Sequence, residues 1–146
     1  MTSPSCHLVH TVIIPMRWAD MDSQGHVNNV TYFRYMEEAR VQMFRARGLN
    51  RGGEELAPDV GPVVLNASCS YLKSLHYPGD IEVRVFVGEP GRSSVMTWYE
   101  MRPSYDREVV YAEGAAKMCY VDRTISRSIP LPKALRDLAE GNASAG

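Results

Sequence analysis

The sequence predicts one α+β domain, in which a single long helix packs against one face of an antiparallel sheet of five strands. Three observations carry this prediction. Apolar residues recur at helical spacing over residues 31–47, whereas apolar and polar residues alternate from about 62 to 121. The chain has 146 residues with no internal repeat or linker, which favours one compact domain.

The first strand precedes the helix and is separated from it by a polar loop. Residues 10–18 are rich in β-branched and apolar types, and the Gly-containing segment 19–29 predicts a loop. The helix is predicted over 31–47, where apolar residues four or three positions apart form one stripe. These residues are Tyr32, Met36, Ala39, Met43 and Ala46.

Both ends of the predicted helix carry sequence signals. Asn28 or Asn29 is suited to cap the start, because an Asn side chain accepts a hydrogen bond from a backbone N–H of the first turn. Gly48 predicts the end, because glycine adopts the left-handed conformation without a Cβ clash.

Four further strands are predicted over about 62–74, 81–87, 93–102 and 108–121, in antiparallel succession and joined by hairpin-like turns. One face of the last strand carries small residues that allow a helix to lie close to the sheet. That face comprises Val110, Ala112, Gly114, Ala116, Met118 and Tyr120. A short helix over 131–140 and a frayed tail over 141–146 complete the prediction.

The composition excludes several classes of protein. With 16 Lys+Arg and 17 Asp+Glu, the formal charge is −1, which argues against nucleic acid as the main partner. No apolar run approaches the length of a membrane span, and the N-terminus shows no secretory signal, so we expect a cytoplasmic protein without a membrane partner. Cys6, Cys69 and Cys119 are odd in number and form no CxxC pair, which predicts buried free thiols.

An open sheet of five strands leaves two exposed edges and a second face. Pairing with another copy is the ordinary solution to such edges. We therefore expect a homo-oligomer.

Common catalytic and metal-binding signatures are absent from the sequence, including the nucleophile elbow, the phosphate loop and the dinucleotide fingerprint. The segment from Asp20 to Gly25 imitates the opening of a calcium loop, but its twelfth position is Thr31 rather than Glu. The four histidines are scattered, so no zinc site is supported. We expect chemistry without a metal or a cofactor.

The polar residues between the first strand and the long helix are the best candidates for chemistry. A helix start presents unpaired N–H groups that can stabilise an oxyanion. Asp22 could draw a proton from water or attack a thioester carbonyl, with the amides near Asn28 and Asn29 holding the negative oxygen. Turns rich in Asp before capped helices are also common as purely structural features.

Two sequence blocks resemble one known family. Residues 17–29 read RWADMDSQGHVNN and residues 32–40 read YFRYMEEAR. The first resembles D-x-D-x-x-G followed by H-V-N-N, and both occur in the order found in the hotdog-fold acyl-CoA thioesterases, the 4-hydroxybenzoyl-CoA thioesterase-like family. The order of strands and helix resembles this family over about residues 8–122.

The resemblance implies a single hotdog domain over 1–146, with a sheet wrapped around one long helix and a core at about 8–122. It implies hydrolysis of acyl-CoA, or of an acyl-carrier-protein thioester, without a cofactor. Asp22 falls on the catalytic carboxylate, and Asn29 on the amide that polarises the carbonyl. His26 and Asn28 fall on positions that orient the substrate. Members are commonly homodimers or homotetramers with the active site at the dimer interface.

Several alternatives remain open at this point. Another branch of the fold carries its carboxylate on the long helix, which makes Glu37 and Glu38 rival candidates, although helical geometry places both away from the core stripe. Asp20 is expected to hydrogen-bond the loop or to pair with Arg17. A hotdog dehydratase is disfavoured, because its D-x-N-P-x-H pattern is not reproduced. The alternative from a different class of function is a non-catalytic acyl-CoA-binding module or sensor.

Overall fold

The computed structural model describes residues 6–49 and 59–142. Six strands and two α-helices lie in this part of the chain. In chain order they are β1 (His7–Pro15), α1 (Asn29–Ala46), β2 (Val60–Tyr71), β3 (Asp80–Gly88), β4 (Ser94–Pro103), β5 (Ala112–Asp122), β6 (Arg127–Ser128) and α2 (Lys133–Glu140). The predicted α+β architecture is confirmed, with the two-residue strand β6 as an addition that pairs with β5.

The strands form one antiparallel sheet in the order β1-β3-β4-β5-β2. The prediction that all four later strands follow one another as hairpins is therefore wrong for β2 and β3, which lie near opposite edges. Alternation of apolar and polar residues determines which face of a strand is buried, but it does not determine the neighbouring strand. β2 pairs with β5, from Val60 opposite Asp122 to Tyr71 opposite Ala112.

The long helix α1 covers the inner face of this sheet. Met36, Ala39 and Met43 of the predicted stripe are fully buried, and so are Val83 and Val85 of β3. The close approach that the small residues of β5 predicted is present, because a Cβ atom added to Gly114 would lie 2.6 Å from the sulfur of Met36. The core is therefore one layer between α1 and the sheet.

Local signals set the two ends of α1. Asn28 is the N-cap, and its side-chain oxygen accepts from the amide of Val30 at 3.1 Å. At the other end Gly48 has φ +67°, and the Leu49 amide donates to the carbonyl of Phe44 at 2.8 Å. The predicted stop at Gly48 is thus confirmed, and the helix begins two residues before the predicted start.

Four predicted strand boundaries are shifted by three or four residues in the structure. β1 begins at His7 rather than residue 10, and β2 ends at Tyr71 rather than residue 74. β1 ends at Pro15 rather than residue 18, because residues 18–20 form a 3-10 turn. β5 begins at Ala112 rather than residue 108, because the amides of Asp106 and Val109 close turns over the preceding segment. Val110 therefore lies before the strand and is only half-buried.

The C-terminal helix α2 packs on the same core. Leu135 and Leu138 are buried, while Pro132 stands at the N-cap and Gly141 ends the helix with φ +76°. The predicted segment 131–140 therefore contains the helix, which begins at Lys133. Residues 143–146 of the predicted tail lie outside the described residues.

The described residues contain three free cysteines, no group of metal ligands and no helix able to span a membrane. Cys6, Cys69 and Cys119 are free thiols, but only Cys119 is buried, so the expectation of three buried thiols is wrong. In residues 6–49 and 59–142 no three His, Cys, Asp or Glu side chains are grouped to hold a metal ion. No helix of this part of the chain is long and apolar enough to cross a membrane.

The contact between Gly114 and Met36 gives a test of the packing. We expect Gly114→Ala to lower the free energy of unfolding by about 1–3 kcal/mol, because the methyl group must displace a buried side chain. Gly61→Ala on the paired strand β2 is the matched control, since the nearest atom lies 3.9 Å from the added Cβ. Chemical denaturation of both variants checks this, and equal stability of the two would contradict it.

Candidate active site

Asp22 opens a tight turn between β1 and α1. Its amide donates to the carbonyl of His26 at 2.8 Å, and the Gly25 amide donates back to the Asp22 carbonyl at 3.1 Å. Gly25 has φ +78°, a conformation that other residues rarely adopt. A β-bridge between Met21 and Val27 closes the base of this turn. The local sequence thus holds Asp22 in a fixed, exposed position.

The two oxygens of the Asp22 carboxylate have different surroundings. Oδ1 accepts from the amide of Gln24 at 2.9 Å and from the amide of His26 at 3.4 Å, which is an Asx turn. Among the described residues, Oδ2 has no hydrogen-bond donor. One oxygen therefore holds the turn, while the other is available to a ligand or a proton.

Asp20 lies two residues earlier, and its side chain is engaged in contacts that hold the loop. Its side chain is only 6% exposed and accepts at 2.9 Å from both the Arg17 amide and the Tyr35 hydroxyl. Its Oδ1 also lies 3.4 Å from the Arg17 guanidinium. Burial, together with the hydrogen bond to Asp20, raises the pKa of Tyr35 well above its usual range, so the phenol stays protonated and donates. These contacts agree with the expected loop and Arg17 interactions.

The start of α1 presents an amide without an acceptor. Asn28 donates its amide to the carbonyl of Asp20 at 2.9 Å, and its side chain caps the helix. Within the described residues the amide of Asn29 has no acceptor, which is the usual state of the first helical N–H groups. The Tyr71 hydroxyl donates to the Asn29 carbonyl at 2.9 Å and so joins the helix start to the end of β2.

A cleft of about 270 Å³ brings three of the four predicted site residues together. It is lined by Asp22, His26 and Asn29 from the loop and the helix start, and by Tyr71, Lys73 and Ser74 from the end of β2 and beyond. Asn28 does not line the cleft, since its side chain is engaged in the cap. The residues after 70 carry no motif of their own, and only the fold places them opposite the loop.

Tyr32 completes the cleft wall between these segments. Its hydroxyl accepts from the amide of Leu75 at 3.2 Å, and its ring meets the Tyr71 ring edge-on with 4.8 Å between centroids. Burial raises the pKa of both phenols, so at neutral pH each hydroxyl keeps its proton. Hydrogen bonds of these two uncharged hydroxyl groups thereby connect the walls of the cleft.

The rival carboxylates of α1 lie elsewhere. Glu37 and Glu38 are exposed, and neither lines the cleft. Glu38 accepts instead from the side chain of Gln42 at 2.6 Å. Asp22 is the one carboxylate among the residues that line this cleft in the described part of the chain.

Comparison with known proteins gives concordant matches. A sequence profile described as the thioesterase-like superfamily matches residues 16–138. The PA2801 protein of Pseudomonas aeruginosa, a candidate thioesterase, is 41% identical with a TM-score of 0.81, covering 89% of this chain and 97% of that one. A candidate acyl-CoA thioesterase from Xanthomonas campestris is 36% identical with a TM-score of 0.68, and the match covers 80% of this chain and 95% of that one. A candidate esterase of Aquifex aeolicus (strain VF5) is 31% identical over 79% of this chain and 87% of its own.

The hydrogen bond between Tyr35 and Asp20 gives a test of how the loop is held. We expect Tyr35→Phe to reduce the free energy of unfolding by about 1–3 kcal/mol, because a buried carboxylate loses a donor. Tyr77→Phe is the control, because that hydroxyl has no partner among the described residues, and a change within about 0.5 kcal/mol is expected. Thermal unfolding measures both, and a Tyr35 variant as stable as the control would argue against the loop anchor.

Proposed function

Because this chain belongs to the thioesterase-like superfamily and has the hotdog fold, we propose that it hydrolyses acyl-CoA thioesters to a free acid and a thiol. The observation that carries this proposal is the cleft that Asp22 and Asn29 line together, since Asp22 has a carboxylate oxygen without a donor and Asn29 an amide without an acceptor among the described residues. A base and an oxyanion donor are the two groups that acyl transfer to water requires. We propose that residues 1–146 form one catalytic domain.

The proposed reaction begins with the thioester carbonyl oxygen accepting from the Asn29 amide. In the general-base route, Asp22 Oδ2 takes a proton from water as the water oxygen bonds to the carbonyl carbon. The C–S bond then breaks, and the leaving thiolate takes up the proton held by Asp22, which restores the carboxylate. In the nucleophilic route, Asp22 itself bonds to the carbonyl carbon and expels the thiolate, and water then hydrolyses the anhydride. Neither route needs a metal or a cofactor.

Supporting roles follow from the contacts of the neighbouring residues. His26 holds Asp22 through its backbone and is one of the residues that line the cleft, where we assign it to substrate positioning. We assign Asn28 a positioning role. Its side chain caps the helix, which fixes the first turn of α1 and hence the direction of the Asn29 amide.

We also propose a homodimer or homotetramer as the working form. The edge strand β2 supports this, because Val64 and Leu65 on it are exposed. The cleft adjoins the end of the same strand at Tyr71. A second copy paired along β2 would therefore lie beside the proposed active site.

The decisive experiment compares wild type with Asp22→Asn for thiol release from short, medium, long and aromatic acyl-CoAs. We expect at least about a hundredfold loss of kcat, the usual effect of removing a general base. The asparagine Oδ1 can accept the same two amide bonds, so the turn is preserved.

Glu37→Gln is the matched control, as an exposed carboxylate outside the cleft. Loss of activity in that variant with retention in Asp22→Asn would move the catalytic carboxylate to α1. Saturable acyl-CoA binding without turnover by wild type would instead indicate a binding module or sensor.

A second prediction concerns the Asn29 amide. Asn29→Pro removes the N–H at the first helical position, where proline is well tolerated, and Asn28 already has the extended backbone (φ −58°, ψ 136°) that a following proline requires. We expect kcat to fall about 10²- to 10³-fold while the melting temperature changes little. Asn29→Ala keeps the N–H and should retain most activity. If both variants were equally active, the amide would have no part in the reaction.

A further inference from the structure

Two exposed aromatic rings lie beside the candidate active site and have no role in the mechanism above. Trp18 is 75% exposed and Tyr77 is 43% exposed. Their rings meet edge-on, with centroids 6.2 Å apart. So much aromatic surface left in water is unusual unless a partner covers it.

Backbone hydrogen bonds hold the two chain segments that carry these rings. Trp18 lies in the 3-10 turn, where the amide of Met21 donates to its carbonyl at 3.1 Å and the buried Asp20 holds the Arg17 amide. The amide of Tyr77 donates to the sulfur of Met21 at 3.4 Å. The pair is therefore a preformed platform rather than two side chains on loose segments.

The platform is continuous with the cleft along two segments. Met21 immediately precedes Asp22, and Trp18 is four positions before Asp22, so the Cα atoms of Trp18 and Asp22 are at most about 14 Å apart. On the other side, Lys73 and Ser74 line the cleft and the chain continues to Tyr77. The amide of Val27 donates to the carbonyl of Leu75 at 2.8 Å and holds these segments together.

Two cationic side chains, Arg17 and Lys73, are close in sequence to the two residues of the platform. The Lys73 ammonium lies over the Tyr111 ring at 5.5 Å, and none of the ion pairs in the described residues involves it. Arg17 is next to Trp18 and has a side chain 75% exposed, although one nitrogen lies 3.4 Å from Asp20. Both cations are accessible to an anionic ligand.

We propose that Trp18 and Tyr77 bind the adenine base of coenzyme A, with Lys73 and Arg17 contacting its phosphates. This inference rests on the proposed function. Aromatic side chains stack on bases through their π faces, and lysine and arginine are the usual partners of phosphate. An acyl group on a carrier protein brings the phosphopantetheine arm without adenine, so the platform selects the nucleotide-bearing thioester.

The first test measures binding without catalysis. Trp18 and Trp98 are the two tryptophans, and Trp98 is only 9% exposed, so a ligand on the platform changes the emission of Trp18. We expect adenosine 3′,5′-bisphosphate, the nucleotide part of coenzyme A, to quench wild-type fluorescence saturably and to leave Trp18→Phe unquenched. Absence of saturable quenching in wild type overturns the platform.

The second test separates the nucleotide from the thioester. We expect Trp18→Ala to raise KM for acyl-CoA roughly tenfold, the size of effect expected when a stacking ring is lost. KM for the matching acyl-N-acetylcysteamine, which lacks the nucleotide, should stay unchanged. Trp18→Phe should retain most affinity, and Ile125→Ala, which removes an apolar side chain 58% exposed in the turn after β5, is the control.

The possible outcomes are distinct. An equal rise in KM for both substrates, or a change of oligomeric mass in Trp18→Ala, overturns the nucleotide platform, the latter by showing that a second copy covers it. Quenching by the nucleotide with no hydrolysis of any thioester by wild type supports the platform while overturning the proposed function.

Discussion

The buried carboxylate of Asp20 connects the loop to the helix, and the geometry of the candidate site depends on it. Its side chain accepts from the Arg17 amide and the Tyr35 hydroxyl, while its carbonyl accepts from the Asn28 amide. A buried carboxylate is costly unless such donors surround it. Because its donors come from the segment that follows β1, from the N-cap of α1 and from α1 itself, the turn that carries Asp22 has a fixed position relative to the helix start.

The position of the cleft wall opposite Asp22 is set by the sheet rather than by the loop. Tyr71 reaches the Asn29 carbonyl across 42 positions of sequence, and Tyr32 receives the Leu75 amide across 43. These bonds place Lys73 and Ser74 at the cleft beside a carboxylate and an unpaired amide. The site therefore combines a locally determined half, the Asx turn and the helix cap, with a half that exists only in the folded sheet.

This division explains what the sequence could predict. The stripe of α1, its cap at Asn28 or Asn29 and its stop at Gly48 are local patterns, and each was predicted close to its observed place. The strand that pairs with β2 was not predicted correctly, because the alternation of apolar and polar residues in β2 is equally compatible with pairing to β3 or to β5. Tyr71 and Lys73 were missed for the same reason, whereas Asp22, His26 and Asn29 lie in one contiguous motif.

The position of β2 also has a consequence for how the protein folds. Its pairing with β5 joins residues 41 to 62 positions apart, from Tyr71 with Ala112 to Val60 with Asp122. Contacts of such sequence separation carry a large loop-closure entropy and form slowly compared with helices and hairpins. The cleft is lined by residues at and beyond the end of this strand, so we expect the helix and the β3–β4–β5 meander to form before the binding site does. Recovery of ligand binding during refolding should thus lag behind recovery of helical structure.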